Sequence, residues 1–146
     1  MQMFRPMEED AALVGWGVRV LLLADPMSNR TEEIMRRVAG FGGLVEEQHE
    51  LFAAMSALLD DPAGYGMLMM DCDVFGGLEA GRRALSLLRG SGLRIPAILL
   101  SSEVKGGQTF PEDRMEPILL RAPVSAVSLR VGFEHALRER LVWRAA

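Results

Sequence analysis

Gly66-Met-Leu-Met-Met-Asp71 is the stretch on which the fold turns. Its apolar run is too short for a helix and shows no polar alternation, so it reads as a strand buried on both faces. The run ends in a carboxylate, Asp71, with Cys72 and Asp73 directly behind it. Beyond it, Leu78, Gly81, Leu85 and Leu88 recur at helical spacing until Gly90 and Gly92 close the helix.

The same alternation extends in both directions. Upstream, Val18-Arg-Val-Leu-Leu-Leu-Ala24 is a first apolar strand, stopped by Asp25-Pro26. Asn29 and Glu32 form a capping-box pattern that opens a helix running to about Ala39. Gly40, Gly42 and Gly43 end it, and Leu44-Val45 with its acidic tail makes a short second strand. Leu51, Phe52, Met55, Leu58 and Leu59 mark a helix that Asp60-Asp61-Pro62 stops. Downstream, Ile95-Pro-Ala-Ile-Leu-Leu-Ser101 is a fourth strand and Pro117-Ile-Leu-Leu-Arg121 a fifth. Leu129, Phe133, Ala136, Leu137 and Leu141 form the stripe of a last helix. Between Glu103 and Glu116 lie Gly106, Gly107 and Pro111, and a helix interior is disfavoured by roughly 1 kcal/mol for glycine and 3 for proline. At most a short or displaced helix is expected there.

Continuous apolar strands separated by helices predict an α/β fold, a doubly wound parallel sheet covered on both faces. Ligands of such sheets bind outside the carboxyl ends of the strands. Asp25 follows the first strand, Asp71 ends the third, Ser101 the fourth and Arg121 the fifth. Two carboxylates, a hydroxyl and a cation at one edge are a set suited to phosphate and metal chemistry.

Composition narrows the possibilities. A chain of 146 residues predicts one domain, 18–146, behind an extension over residues 1–17. Hydrophobic residues make up 49% and charged residues 25%, which argues against disorder. A net charge of −4 argues against a nucleic-acid footprint. The lone cysteine, Cys72, rules out an intramolecular disulfide and fits a reducing compartment. No apolar run approaches the roughly 20 residues of a membrane span. Glu8, Glu9 and Asp10 stand where a secretory signal would be apolar, so a cytoplasmic protein is expected. Fifteen arginines accompany one lysine, Lys105, so a mechanism that needs lysine has one candidate.

In their order, these strand ends resemble the receiver domain of two-component response regulators. Tyr65-Gly-Met-Leu-Met-Met-Asp71 is similar to the family's third strand with its phosphoacceptor last, and Gly77-Leu78-Glu79 to the opening of the next helix. Ile95 to Ser101 resembles the fourth strand, which ends in Ser or Thr. The resemblance runs over about residues 18–142 and implies a flavodoxin-like, five-stranded sheet in the order 2-1-3-4-5. It implies that Asp71 accepts a phosphoryl group from a histidine kinase or phosphotransferase. Ser101 would hydrogen-bond that group, pulling its loop inward, and Arg121 would take the place of the family's lysine. It further implies Mg²⁺ held by Asp25, Asp71 and the backbone carbonyl of Asp73, a hard cation on oxygen ligands. A stand-alone receiver would signal by contact with a downstream protein partner, and the family's habit also allows a homodimer through the last strand and helix.

Several positions depart from the family. Ala24-Asp25 replaces a pair of adjacent acids, which weakens Mg²⁺ binding. Arg121 is followed by Ala122 before Pro123, one residue more than the usual Lys-Pro, and a planar guanidinium does not substitute conservatively for an ammonium. The Asp71–Gly77 loop is two residues short, and Ile118 replaces an aromatic residue. Other roles remain open at each site residue: a helix-capping acid for Asp71, a helix-start acid for Asp25 and a surface ion pair for Arg121. Asp73 and Ser102 rival Asp71 and Ser101. Cys72 reads as a packed small residue, and the Glu46-Glu47 pair as a solvated face. The function expected is a stand-alone phosphoacceptor receiver in phosphorelay signal transduction, with a phosphorylation-independent receiver-like interaction module as the alternative and a small flavodoxin-like nucleotide-binding enzyme as a weaker one. No glycine-rich phosphate loop follows the first strand to support the last.

Overall fold

The computed structural model describes residues 17–106, 109–113 and 115–138. The expected extension over residues 1–17 lies outside them apart from Gly17, as does Leu141 of the expected last helix.

Five strands, β1 (Arg19–Leu23), β2 (Leu44–Gln48), β3 (Met67–Asp71), β4 (Ala97–Ser101) and β5 (Ile118–Arg121), form one parallel sheet in the order β2-β1-β3-β4-β5. The helices are α1 (Asn29–Gly40), α2 (Leu51–Asp60), α3 (Leu78–Gly90) and α4 (Ala126–Ala136), with one 3-10 turn at Cys72–Val74. This is the doubly wound, flavodoxin-like sheet the sequence predicts. No helix among the described residues fills the stretch between β4 and β5. That stretch lies against the outer edge of β5, where Thr109 and Leu119 exchange backbone hydrogen bonds of 2.9 and 3.1 Å. The pairing occupies part of an edge that would otherwise be an unsatisfied template.

Side-chain alternation along the strands builds two cores. Val20, Leu22, Met67, Met69, Ile98 and Leu120 face α1 and α4, where Ile34, Leu129 and Phe133 pack on them. Leu21, Leu23, Leu68, Met70 and Leu99 face α2 and α3, where Ala54, Leu58, Leu85 and Leu88 complete the layer. Cys72 belongs to this second core and is fully buried. The helix α3 crosses it at Gly81, where an added Cβ would lie 2.5 Å from the Cys72 Sγ.

Two boundaries differ from the sequence reading. Ser28, not Asn29, caps α1, its hydroxyl accepting from the Arg30 N–H at 3.1 Å. The second strand continues past Val45 to Gln48, because an edge strand tolerates charge on its outer positions. Its Glu46 is not a merely solvated residue: it pairs with Arg19 at 2.7 Å and accepts from the Tyr65 hydroxyl.

The close approach at Gly81 makes a prediction. Gly81→Ala should lower stability in urea by about 1–2 kcal/mol, overcoming the helix-propensity advantage of alanine, about 1 kcal/mol. Adding Cys72→Ala should recover part of the loss. A Gly81→Ala protein as stable as the parent would contradict this packing.

Candidate functional site

All strands run the same way, so Asp25, Asp71, Ser101 and Arg121 gather at one carboxyl edge, as the sequence predicts. The edge is divided between the two faces of the sheet.

On the α1 face stands Asp71. Alternation along β3 puts its side chain on the side of Met67 and Met69, and it is 1% exposed. Both of its oxygens accept from one nitrogen of Arg30, Oδ1 at 2.9 Å and Oδ2 at 2.7 Å. Arg30 lies in the first turn of α1, and its side chain is 32% exposed. That is an unfavourable place for a cation, because the helix N-terminus already carries partial positive charge. The ion pair with Asp71 offsets that cost and neutralises a carboxylate that water cannot solvate.

Asp25 is turned to a local task. Its Oδ1 accepts from the Met27 N–H at 2.9 Å, and its backbone carbonyl accepts from the Thr31 hydroxyl at 2.6 Å. These bonds shape the turn between β1 and α1 and thereby set where Arg30 emerges. Ala24, in the place of a second acid, is fully buried.

On the α3 face, the 3-10 turn after Asp71 carries Asp73 toward β4. The Ser101 hydroxyl donates to Asp73 Oδ1 at 2.7 Å, and the Ser102 N–H donates to Oδ2 at 2.9 Å. Ser101 is itself fully buried, and its oxygen accepts from the Glu103 N–H at 3.0 Å. Burial works to raise the Asp73 carboxyl, but the bonds from Ser101 and Ser102 and the charge of Arg30 outweigh it and hold the group below its ordinary value. Glu103 in turn accepts from the Leu78 N–H at 2.6 Å, capping the start of α3.

Arg121 lies in register with Ser101 but is exposed. The buried residue between it and Pro123 is Ala122, whose N–H donates to the Ser101 carbonyl at 3.1 Å. Among the described residues, no group of three or more His, Cys, Asp or Glu side chains is placed to hold a metal ion.

Solved structures share this arrangement of strands and helices. A response regulator receiver domain from Clostridium thermocellum superposes with a TM-score of 0.62 at 15% identity, over 86% of this chain and 98% of that one. The chain has the receiver fold. The receiver domain of the histidine kinase CKI1 from Arabidopsis thaliana, complexed with Mg²⁺ and BeF₃⁻, gives 0.60 at 18% identity, over 86% and 94%. The response regulator PhyR from Brucella abortus gives 0.66 at 16% identity, over 95% of this chain and 56% of that one. No family model matches the sequence, and no curated protein matches it. Within this fold, Asp71 is joined to Arg30 and Ser101 to Asp73 at the strand ends.

Strand ends alone do not reveal Arg30, which comes from a helix. Its one sequence signal is a cation in a first turn, five residues beyond Asp25. Glu103 is signalled only by following two serines at a strand end.

Cys72, beside the acid, is closed to chemistry. Burial first, then the nearby charges of Asp71, Asp73 and Glu103, push its thiol up from 9.0 to about 12. The thiolate, not the thiol, is the nucleophile. Iodoacetamide at mildly alkaline pH should therefore leave Cys72 unmodified in the folded protein and alkylate it readily in urea. Its folded value is the higher one, so its contribution to stability is complete below pH 9 and lost as the pH rises toward about 12. Rapid native alkylation would contradict this burial.

Proposed function

We propose that this chain is a receiver-like signalling module that acts by protein–protein contact without phosphoryl transfer to Asp71. The observation that carries this reading is the Arg30–Asp71 pair. A phosphoacceptor needs a free carboxylate oxygen as nucleophile and a divalent metal to neutralise charge on the transferring group. Here both carboxylate oxygens face one guanidinium nitrogen. A resident arginine cancels the Asp71 charge that would attract the metal.

Mg²⁺ does not fit the edge in this arrangement. It demands near-octahedral oxygen ligands and prefers carboxylates. Asp71 is engaged by Arg30, one Asp25 oxygen holds the turn before α1, and Ala24 supplies no ligand. Asp73 gives both side-chain oxygens to Ser101 and Ser102, so of this residue only the expected backbone carbonyl would be left to a metal. The exposed Arg121 adds no buried cation where a lysine would meet phosphoryl oxygens.

A second reading keeps one observation in its favour. Asp71 ends the central strand beside β1 and β4, the place of a receiver's phosphoacceptor. In that reading a histidine kinase or phosphotransferase would be the donor, Arg30 would swing from carboxylate to phosphoryl oxygen, and Mg²⁺ would enter with the phosphate.

Acetyl phosphate with Mg²⁺ separates the two. The contact-module reading predicts an intact mass unchanged by the treatment, and downstream partner binding equal for the parent and Asp71→Asn proteins. A mass gain of one phosphoryl group that Asp71→Asn abolishes would overturn it in favour of phosphotransfer.

A further inference from the structure

Arg89, half-buried in the last turn of α3, carries a guanidinium that the fold leaves unmet. Its Nε and Nη2 are shut off from water and have no hydrogen-bond partner among the described residues. The negative end of the helix accounts for a cation in that turn. It does not account for two charged donors buried without acceptors, which costs stability. These two nitrogens form one edge of the guanidinium, the fork that grips both oxygens of a carboxylate in parallel bonds.

Arg89 borders a cavity of about 80 Å³ between α3 and the chain entering β5, together with Arg82, Leu85, Ser86, Glu116 and Pro117. Arg82, Ser86 and Arg89 are spaced to share one face of α3. The cavity holds several waters or one small ion. It lies at the amino end of β5, across the length of the sheet from Asp71 and Ser101.

We propose that this cavity is a binding site for a carboxylate, held by the Nε–Nη2 edge of Arg89. Water does not reach that edge in the unliganded arrangement, so the long side chain turns into the cavity as the ligand enters. Arg82 adds positive charge, and the Ser86 hydroxyl adds a donor from the same helix face. Neither neighbouring acid fills the place. The charges of Glu116 and then Asp113 act on Arg89 from a distance, against the effect of burial, and neither is bonded to its buried nitrogens. Asp113 Oδ1 accepts from the Met115 N–H at 2.9 Å, and the Asp113 carbonyl holds the Glu116 N–H at 3.0 Å. Among the lining residues, two arginines against one glutamate leave a single positive charge. A carboxylate balances that charge, and a doubly charged phosphate oversteps it. The site is independent of how Asp71 is used.

Titration of the full chain with acetate, replacing chloride at constant ionic strength, tests this by NMR at the Arg89 Nε–H. The signal should shift and saturate, and inorganic phosphate at the same ionic strength should shift it less. Arg89→Lys keeps the charge but loses the fork. Followed at the Ser86 and Glu116 amides, it should weaken acetate binding by about tenfold. Glu116→Gln removes a like charge and should tighten binding by about threefold. Tighter binding of N-acetylglutamic acid amide than of acetate would assign the carboxylate to a peptide side chain. Equal or weaker binding would assign it to a free small acid, and either result keeps the site. An Arg89 Nε–H that acetate does not shift overturns the proposal, whether or not Arg89→Lys folds. A shift seen only in Glu116→Gln also overturns it, because Glu116 is then the resident partner of Arg89.

Discussion

A carboxylate at the end of the middle strand of a parallel sheet lies where water has little access and the neighbours are Met, Leu and Ala. Leaving Asp71 charged there without a counterion would cost several kcal/mol. The turn before α1 is built so that the charge is met. The cation is Arg30, delivered by the first turn of α1, and the turn that delivers it is shaped by Asp25 and capped by Ser28. The cost of a cation at a helix N-terminus and the cost of an anion in a sheet core are settled by one contact.

With Asp71 satisfied on one face of the sheet, the hydroxyl of Ser101 turns to the other face and to Asp73. The edge is therefore a set of internal pairs, cation to anion and donor to acceptor, in place of an open cradle for metal and phosphate. Arg121, exposed at the end of β5, stands apart from both pairs. In the contact-module proposal, the surface above such an edge is shaped by the chain's own side chains.

Much of this is legible in the sequence. The strands around Met67–Asp71 and Ala97–Ser101 are short apolar runs, and burial on both faces leaves no other reading of them. The weak stretch after Ser101 announces itself through Gly106, Gly107 and Pro111, since no helix forms readily across them. The pairing of the site residues was less legible. Strand periodicity tells which residues end at the edge but not which helix residue reaches over it, so Arg30 does not show in the strand ends. Ser28 and Asn29 are both good caps and adjacent, and sequence pattern does not choose between them. Asp73 and Ser101 are 28 positions apart in the chain, and only the 3-10 turn brings the acid to the hydroxyl.

A double-mutant cycle in urea at neutral pH measures the coupling between Arg30 and Asp71. Arg30→Met strands a buried carboxylate and should cost about 3 kcal/mol, more than Asp71→Asn, which leaves a partly exposed guanidinium. In the double variant the two losses should fall short of their sum by about 2 kcal/mol. Losses that add to within about 0.5 kcal/mol would mean that the two side chains act independently, and would contradict the account.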